Sequence, residues 1–435
     1  MDKNKIRFLY EINTRVFFRE LSFTLGKKIT FENFPDKEID RITSSGFDAV
    51  WFMGVWKQSK KSLSLARKNP LLRKEVLNVL PDAEDKDITG SCYSIAGYDI
   101  DQSLGTREGL FKLKKRMNQK GLKVILDFVP NHLALDHPWV AKKPDLFING
   151  TMEDYKEHPK FFFKTKEKKI LGLGKDPFFP AWIDVAQLNY FNPETRKLMT
   201  EELLDIAGLC DGVRCDMAML VLKRFQKRIW GHRVFGKDRR FKEPKEDFWN
   251  NAIRRVKKHY RNFIFIAEVY WKIENELLES GFDYTYDKDF YEALQYEKIS
   301  EIKASFKDAD THLRFIENHD ERRAMEIFGE ERSMAAALLT ALSPGPMLIY
   351  QGQTEGMTKR MPVQLLRTPP EDLNIKLQLF YETLLSTLKG QIPENIRWNI
   401  IKPVSAWENN LSYEKFVILC SERKEKIFLG AVNYS

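Results

Sequence analysis

The stretch Asp211–Met219, DGVRCDMAM, sets an arginine and a carboxylate two residues apart. Side chains on a β-strand alternate faces, so Arg214 and Asp216 point the same way. A guanidinium beside a carboxylate favours its ionised form, and an ionised aspartate can act as a nucleophile. The same pair also reads as a structural ion pair at a strand end. Three further apolar runs carry ionisable groups near their ends. LKVILDFVP (Leu122–Pro130) holds Asp127 and runs into Asn131-His132. FIFIAEVY (Phe263–Tyr270) holds Glu268, and LRFIENHD (Leu313–Asp320) ends in His319-Asp320. A charge buried in an apolar strand is costly unless it is paired. Four strand ends with such groups therefore point to one shared cleft.

These groups must be positioned by the elements around them. Arg7 to Phe18 reads as a first strand, and Phe47–Val55 (FDAVWFMGV) as a second, buried on both faces. A Lys- and Ser-rich insertion follows from Trp56 to about Tyr98, and its lysine cluster is expected to be a solvated helical face. Arg107–Gln119 has helical apolar spacing and stops at Gly121. Leu122–Pro130 is strand three and the opening stretch is strand four. Phe263–Tyr270, Asp283–Asp287, Leu313–Asp320 and Pro346–Gln353 are strands five to eight. Helices are expected over Asp36–Ser45, Pro193–Leu209, Lys245–Tyr260, Ser333–Leu342 and about Glu371–Leu388. Eight strands alternating with helices mean a parallel α/β architecture. Periodicity alone also fits an open sheet; the count of eight favours a closed (β/α)8 TIM barrel. In such barrels catalytic residues sit at the C-terminal strand ends. Residues 1–130 and 193–390 are assigned to the barrel. Residues 131–192 are too long for an ordinary loop and form an inserted subdomain after strand three. Residues 391–435 are a short C-terminal β region, with strand-like runs at Phe416–Cys420 and Ile427–Asn433.

Composition narrows the class. With 43% hydrophobic and 31% charged residues, the 435-residue chain reads as globular. The net charge of +9 is dispersed, and no helix-turn-helix, zinc-finger or RNA-binding signature accompanies it, so no nucleic-acid partner is expected. Cys92, Cys210, Cys215 and Cys420 match neither a metal pattern nor a disulfide framework and are expected as free thiols. The N-terminal MDKNKIRFLYEIN has no long apolar run, so the expectation is a cytoplasmic chain with no membrane partner. Oligomeric state is not legible.

DFVPNH at Asp127–His132, DGVRCDMAM at Asp211–Met219, the AEV around Glu268 and FIENHD at Phe315–Asp320 resemble, in order, the motifs of the alpha-amylase family, glycoside hydrolase family thirteen. Ala186-Gln187-Leu188-Asn189 resembles a fifth family motif. Ala96-Gly97-Tyr98-Asp99 resembles the stretch that supplies a sugar-stacking tyrosine. The resemblance runs from strand one to strand eight. It implies Asp216 as nucleophile, Glu268 as acid/base and Asp320 as the third carboxylate, which holds sugar hydroxyls. It implies Arg214 as the group that orients and ionises Asp216, and His132 and His319 as hydrogen-bond partners of the sugar. Tyr98 would be the aromatic platform and Asp127 a structural support. Asn131 matches one ligand of the family's calcium site, although a structural asparagine is the preferred reading; no cofactor is required.

The residue types suit that chemistry. Cleaving a glycosidic bond with retention needs two carboxyl groups about 5–5.5 Å apart, one ionised and one protonated. Asp216 beside Arg214 suits the first role, and Glu268 among apolar neighbours suits the second. Neutral histidines would bond hydroxyls without adding charge. There are departures: Met219 and Leu220 stand where many members carry a Lys-His pair, Gln353 replaces an acidic residue after strand eight, and the C-terminal region is short. The leading expectation is a retaining hydrolase of α-1,4-linked glucans or malto-oligosaccharides. Transglycosylation shares its covalent intermediate. A non-catalytic amylase-like binding protein would be expected to lack one of the three carboxylates, and all three are present.

Overall fold

The structure is a computed structural model describing residues 5–237, 241–307, 310–393, 396–423 and 426–435, with side chains from 232 to 237 left aside. Eight strands form its centre: β1 (Phe8–Asn13), β2 (Ala49–Met53), β3 (Lys123–Phe128), β4 (Gly212–Cys215), β5 (Ile264–Ala267), β6 (Tyr284–Tyr286), β7 (His312–Leu313) and β8 (Met347–Tyr350). All neighbours are parallel and sequential, and β8 returns to pair with β1. A bridge between Arg314 and Met347 closes the ring. The expected (β/α)8 barrel is therefore what the chain forms. Its strands are buried on both faces, which is why they read as continuous apolar runs. Gly212 opens β4 because a Cβ there would lie 2.6 Å from the Ile264 carbonyl oxygen. No larger residue fits that approach of strand to strand.

The first and seventh strands stop well short of their apolar runs. The first ends at Asn13, and Thr14–Leu25 is a helix rather than more strand. Asn13 caps it by accepting from Val16 N, and Gly26 ends it at φ 63°. The seventh ends at Leu313, beyond which only Arg314 still bridges to β8. There the Asn318 side chain accepts from the backbone N–H groups of Asp320 and Glu321, both at 2.9 Å. That turn lifts His319 and Asp320 out of the ladder.

Residues between β3 and β4 build an antiparallel sheet ordered His132–Ala134, Trp182–Gln187, Ile170–Gly174, Phe162–Lys164. The C-terminal residues form a second antiparallel sheet, Asn399–Ile401, Phe416–Arg423 and Lys426–Asn433. The Tyr434 hydroxyl ties it to the barrel by donating to the Leu294 carbonyl at 2.9 Å. The Lys-rich insertion carries two helices, Lys60–Lys68 and Pro70–Val79, framed by an antiparallel pair of strands, Trp56–Gln58 and Ile95–Ile100. Among the described residues no helix is long and apolar enough to cross a membrane.

Candidate active site

The ladder of the barrel runs one residue past its strands and delivers two carboxylates. Asp216 N donates to Phe128 O at 2.8 Å, and Glu268 N donates to Cys215 O at 3.0 Å. The chain then turns sharply, with Met217 in the left-handed region at φ 43°. A non-glycine residue there is uncommon and costs energy. The turn aims the Met217 N–H at Glu268 Oε2, 2.5 Å away.

Arg214 joins the two carboxylates. Its side chain is 1% exposed. Nη1 donates to Asp216 Oδ1 at 2.7 Å. Nη2 lies 2.9 Å from Glu268 Oε2, close enough for an ion pair but not aligned as a hydrogen bond. The guanidinium carbon sits 5.2 Å from the ring centres of Trp51 and Tyr93 and 5.6 Å from that of Tyr286. Three rings and two carboxylates compensate for its desolvation.

Burial pushes Glu268 up to about 7, with Asp216 and Asp320 adding to the rise and Arg214 opposing it. Its Oε1 accepts from the Tyr270 hydroxyl at 2.9 Å. Asp216 corrects a simpler expectation. Arg214 and its hydrogen bond do favour the ionised form, but desolvation is larger, and the carboxyl lies above its usual range. Spacing along a strand shows the arginine; it does not show how deeply the pair is buried.

His319 corrects a second expectation. It is not a neutral imidazole. Nδ1 is 2.5 Å from Glu11 Oε1, while Nε2 is 3.0 Å from Asp320 Oδ2 and 2.8 Å from the Tyr93 hydroxyl. Desolvation alone would lower its pKa, but the two carboxylates push it up to about 10. Asp320 gains in turn: against its own desolvation, His319 holds it well below the usual carboxylate range. Its side chain is 45% exposed, against 1% for His319.

The other expected residues divide. His132 is buried beside Trp182, ring centres 5.1 Å apart, and burial lowers it to about 4, leaving it neutral. Asp127 accepts from Trp51 Nε1 at 3.1 Å and from Gly54 N at 2.7 Å. Burial raises it to about 6. Tyr98 does not face the cleft. It is 6% exposed, stacks on Phe128, donates its hydroxyl to Val129 O at 2.9 Å and accepts from Val129 N at 3.1 Å. The aromatic group at the site is Tyr93, five residues earlier in the same SCYSIAGYDI stretch. Glu11, Tyr93, Tyr270 and Tyr286 were not singled out by sequence. Only the proximity of Tyr93 and Tyr270 to recognised motifs was a signal for them.

Asn131 Oδ1 accepts from Gln187 Nε2 at 2.8 Å, and its own amide N–H faces Gln187 Oε1 at 3.3 Å. The two amides satisfy each other. Among the described residues no three His, Cys, Asp or Glu side chains gather as a metal-holding group. Met219 and Leu220 lie in a buried turn, each 0% exposed. Phe178 and Phe179 are exposed in the connection between Ile170–Gly174 and Trp182–Gln187, and Phe178 meets Trp271 at 5.0 Å between ring centres.

A closed (β/α)8 barrel with ionisable groups gathered at the C-terminal mouth has the architecture of a barrel enzyme. The catalytic-domain model of the alpha-amylase family matches residues 36–383, and the chain belongs to that family. It is 28% identical over 308 residues to alpha-amylase 3 of Dictyoglomus thermophilum, covering 65% of this chain and 58% of that protein. It is 24% identical over 366 residues to alpha-amylase MalA of Haloarcula japonica, covering 81% and 44%. The chain thus spans about half the length of these curated relatives. A maltogenic alpha-amylase from Thermotoga neapolitana superposes with a TM-score of 0.64 at 20% identity, covering 100% of this chain and 86% of that one.

Proposed function

We propose that the protein is a retaining glycoside hydrolase acting on α-1,4-linked glucans or malto-oligosaccharides by double displacement. The observation that carries this reading is the single guanidinium of Arg214 set against both Asp216 and Glu268. In the first step Asp216 attacks the anomeric carbon as the glycosidic bond breaks, and Glu268 gives its proton to the leaving oxygen. In the second, Glu268 takes a proton from water, whose oxygen displaces Asp216. A Glu268 carboxyl at about 7 can hold and release that proton near neutral pH. Asp320 and His319 offer an acceptor and a donor for sugar hydroxyls, and Tyr93 a flat face. If a sugar hydroxyl replaces water in the second step, the same groups perform transfer.

Trapping with a 2-fluoro glucosyl fluoride, followed by peptide mass mapping, tests the assignment. The label is expected on Asp216; a label on Glu268 or Asp320 overturns it. Product analysis with maltoheptaose, starch, sucrose and trehalose fixes the substrate and separates hydrolysis from transfer. No label and no turnover of any α-glucan would leave a non-catalytic binding protein.

A further inference from the structure

Glycosidic chemistry as proposed above uses one nitrogen of His319. The other nitrogen, Nδ1, faces the barrel interior and Glu11 Oε1 at 2.5 Å. Glu11 lies within β1, between Tyr10 and Ile12, and is 0% exposed. Its second oxygen, Oε2, is buried with no hydrogen-bond partner among the described residues. A carboxylate in this state is expensive, and an apolar residue would serve the barrel core better. Among the described residues its one side-chain hydrogen bond is to His319.

We propose that Glu11 is a positioning residue for the reaction: it holds the Nδ1–H of His319, and so fixes Nε2–H and Asp320 as an adjacent donor and acceptor at the cleft. This rests on the glycosidic reading of the site. The state of one ring nitrogen is set by the hydrogen bond of the other. Asp320 cannot do this alone, because it is half-exposed and must exchange partners when a sugar hydroxyl arrives. Glu11 is out of reach of any cleft occupant and keeps its hold throughout. The raised pKa of His319 agrees with two flanking carboxylates.

The groups facing His319 come from several strands. Glu11 comes from β1 and Tyr93 from the segment before β3. Trp51 of β2 meets the ring edge-on at 5.5 Å between centres. The charges of Asp127 and Asp216 act on it from β3 and the end of β4, and Arg214 lies behind Tyr93. Of these, only Glu11 and Asp320 bond it as anions.

The test is a pH titration of the whole chain labelled with 15N-histidine, with the His319 signals assigned by their loss in His319→Asn. In the wild type both ring nitrogens are expected to stay protonated at about pH 8. Glu11→Gln keeps the shape but removes the charge. It is expected to lower the His319 midpoint by about one unit or more, a tenfold change in the protonation equilibrium. The ratio of variant to wild-type kcat/KM on an α-glucan should then fall as pH rises past that midpoint. A variant with an unmoved midpoint and a flat ratio would overturn the assignment. So would a wild-type ring that titrates near 6.5, a measurement that stands even if Glu11→Gln does not fold. The NMR result does not depend on turnover. Absence of turnover in the wild type overturns the glycosidic reading, whereas a wild-type His319 titrating near neutral overturns the role of Glu11 at any turnover.

Discussion

The backbone N–H of Met217 donates to Oε2 of Glu268 at 2.5 Å. The residue that follows one carboxylate thus fixes the other, and the turn after β4 sets the rotamer of the side chain after β5. With Oε2 facing both this N–H and Arg214, the free lone pairs are on Oε1, where a transferable proton must sit.

Oε1 is the oxygen that accepts from Tyr270. That hydrogen bond stabilises the ionised carboxylate and therefore lowers the Glu268 pKa. Tyr270→Phe should move the alkaline limb of the kcat/KM profile to higher pH, by roughly half a unit to one unit for one lost hydrogen bond of about 1 kcal/mol. A limb that stays put or moves down would show that Tyr270 does not tune Glu268.

Glu268 should also weaken the fold where it is ionised. Its pKa rises from 4.5 unfolded to about 7 folded. The folded state therefore keeps a proton that the unfolded state releases across this window. The stability from Glu268 is full below about 4.5 and is lost as pH rises to about 7. Glu268→Gln removes the loss. The variant should gain stability over wild type at pH 8 relative to pH 4.5, on the order of 3 kcal/mol, while its glycosylation slows most for poor leaving groups. Thermal melts at both pH values check the sign.

Arg214→Lys is not conservative at this position. A single ammonium cannot reproduce the two-armed contact with Asp216 and Glu268. We expect kcat/KM to fall by roughly 10²–10³-fold, as when a preorganised donor is lost, and the melting temperature to drop because one buried carboxylate loses its partner. Near-wild-type turnover would mean that the guanidinium is structural only.

The two tyrosines of the SCYSIAGYDI stretch should separate cleanly. Tyr98→Phe loses a buried hydroxyl with two backbone partners. It should cost about 1–3 kcal/mol of stability and leave kcat/KM nearly unchanged. Tyr93→Ala should retain the fold and raise KM for malto-oligosaccharides by tenfold or more. The reverse pattern would restore Tyr98 to the site.

Much of the barrel was legible in the sequence because local rules produce it. The runs FDAVWFMGV and LKVILDFVP are apolar on both faces because helices cover the outside of a closed parallel sheet and strand side chains pack its inside. The i, i+2 spacing of Arg214 and Asp216 put them on one side of β4, and their contact at 2.7 Å follows. The helix Arg107–Gln119 begins and ends at its expected residues, capped by Thr106. Other features depended on groups distant in sequence. Glu11 and His319 are 308 residues apart and meet only when β1 and β7 stand in one ring. Which tyrosine reaches the cleft depended on how the segment before β3 crosses the barrel mouth. The upward shift of Asp216 was set by desolvation, which is a property of everything packed around a group, and the charge on His319 by two carboxylates, Glu11 and Asp320, that outweigh its desolvation. Sequence spacing decides which neighbours share a strand face; only the closed barrel decides how much water is left beside them, and that balance sets each group's protonation.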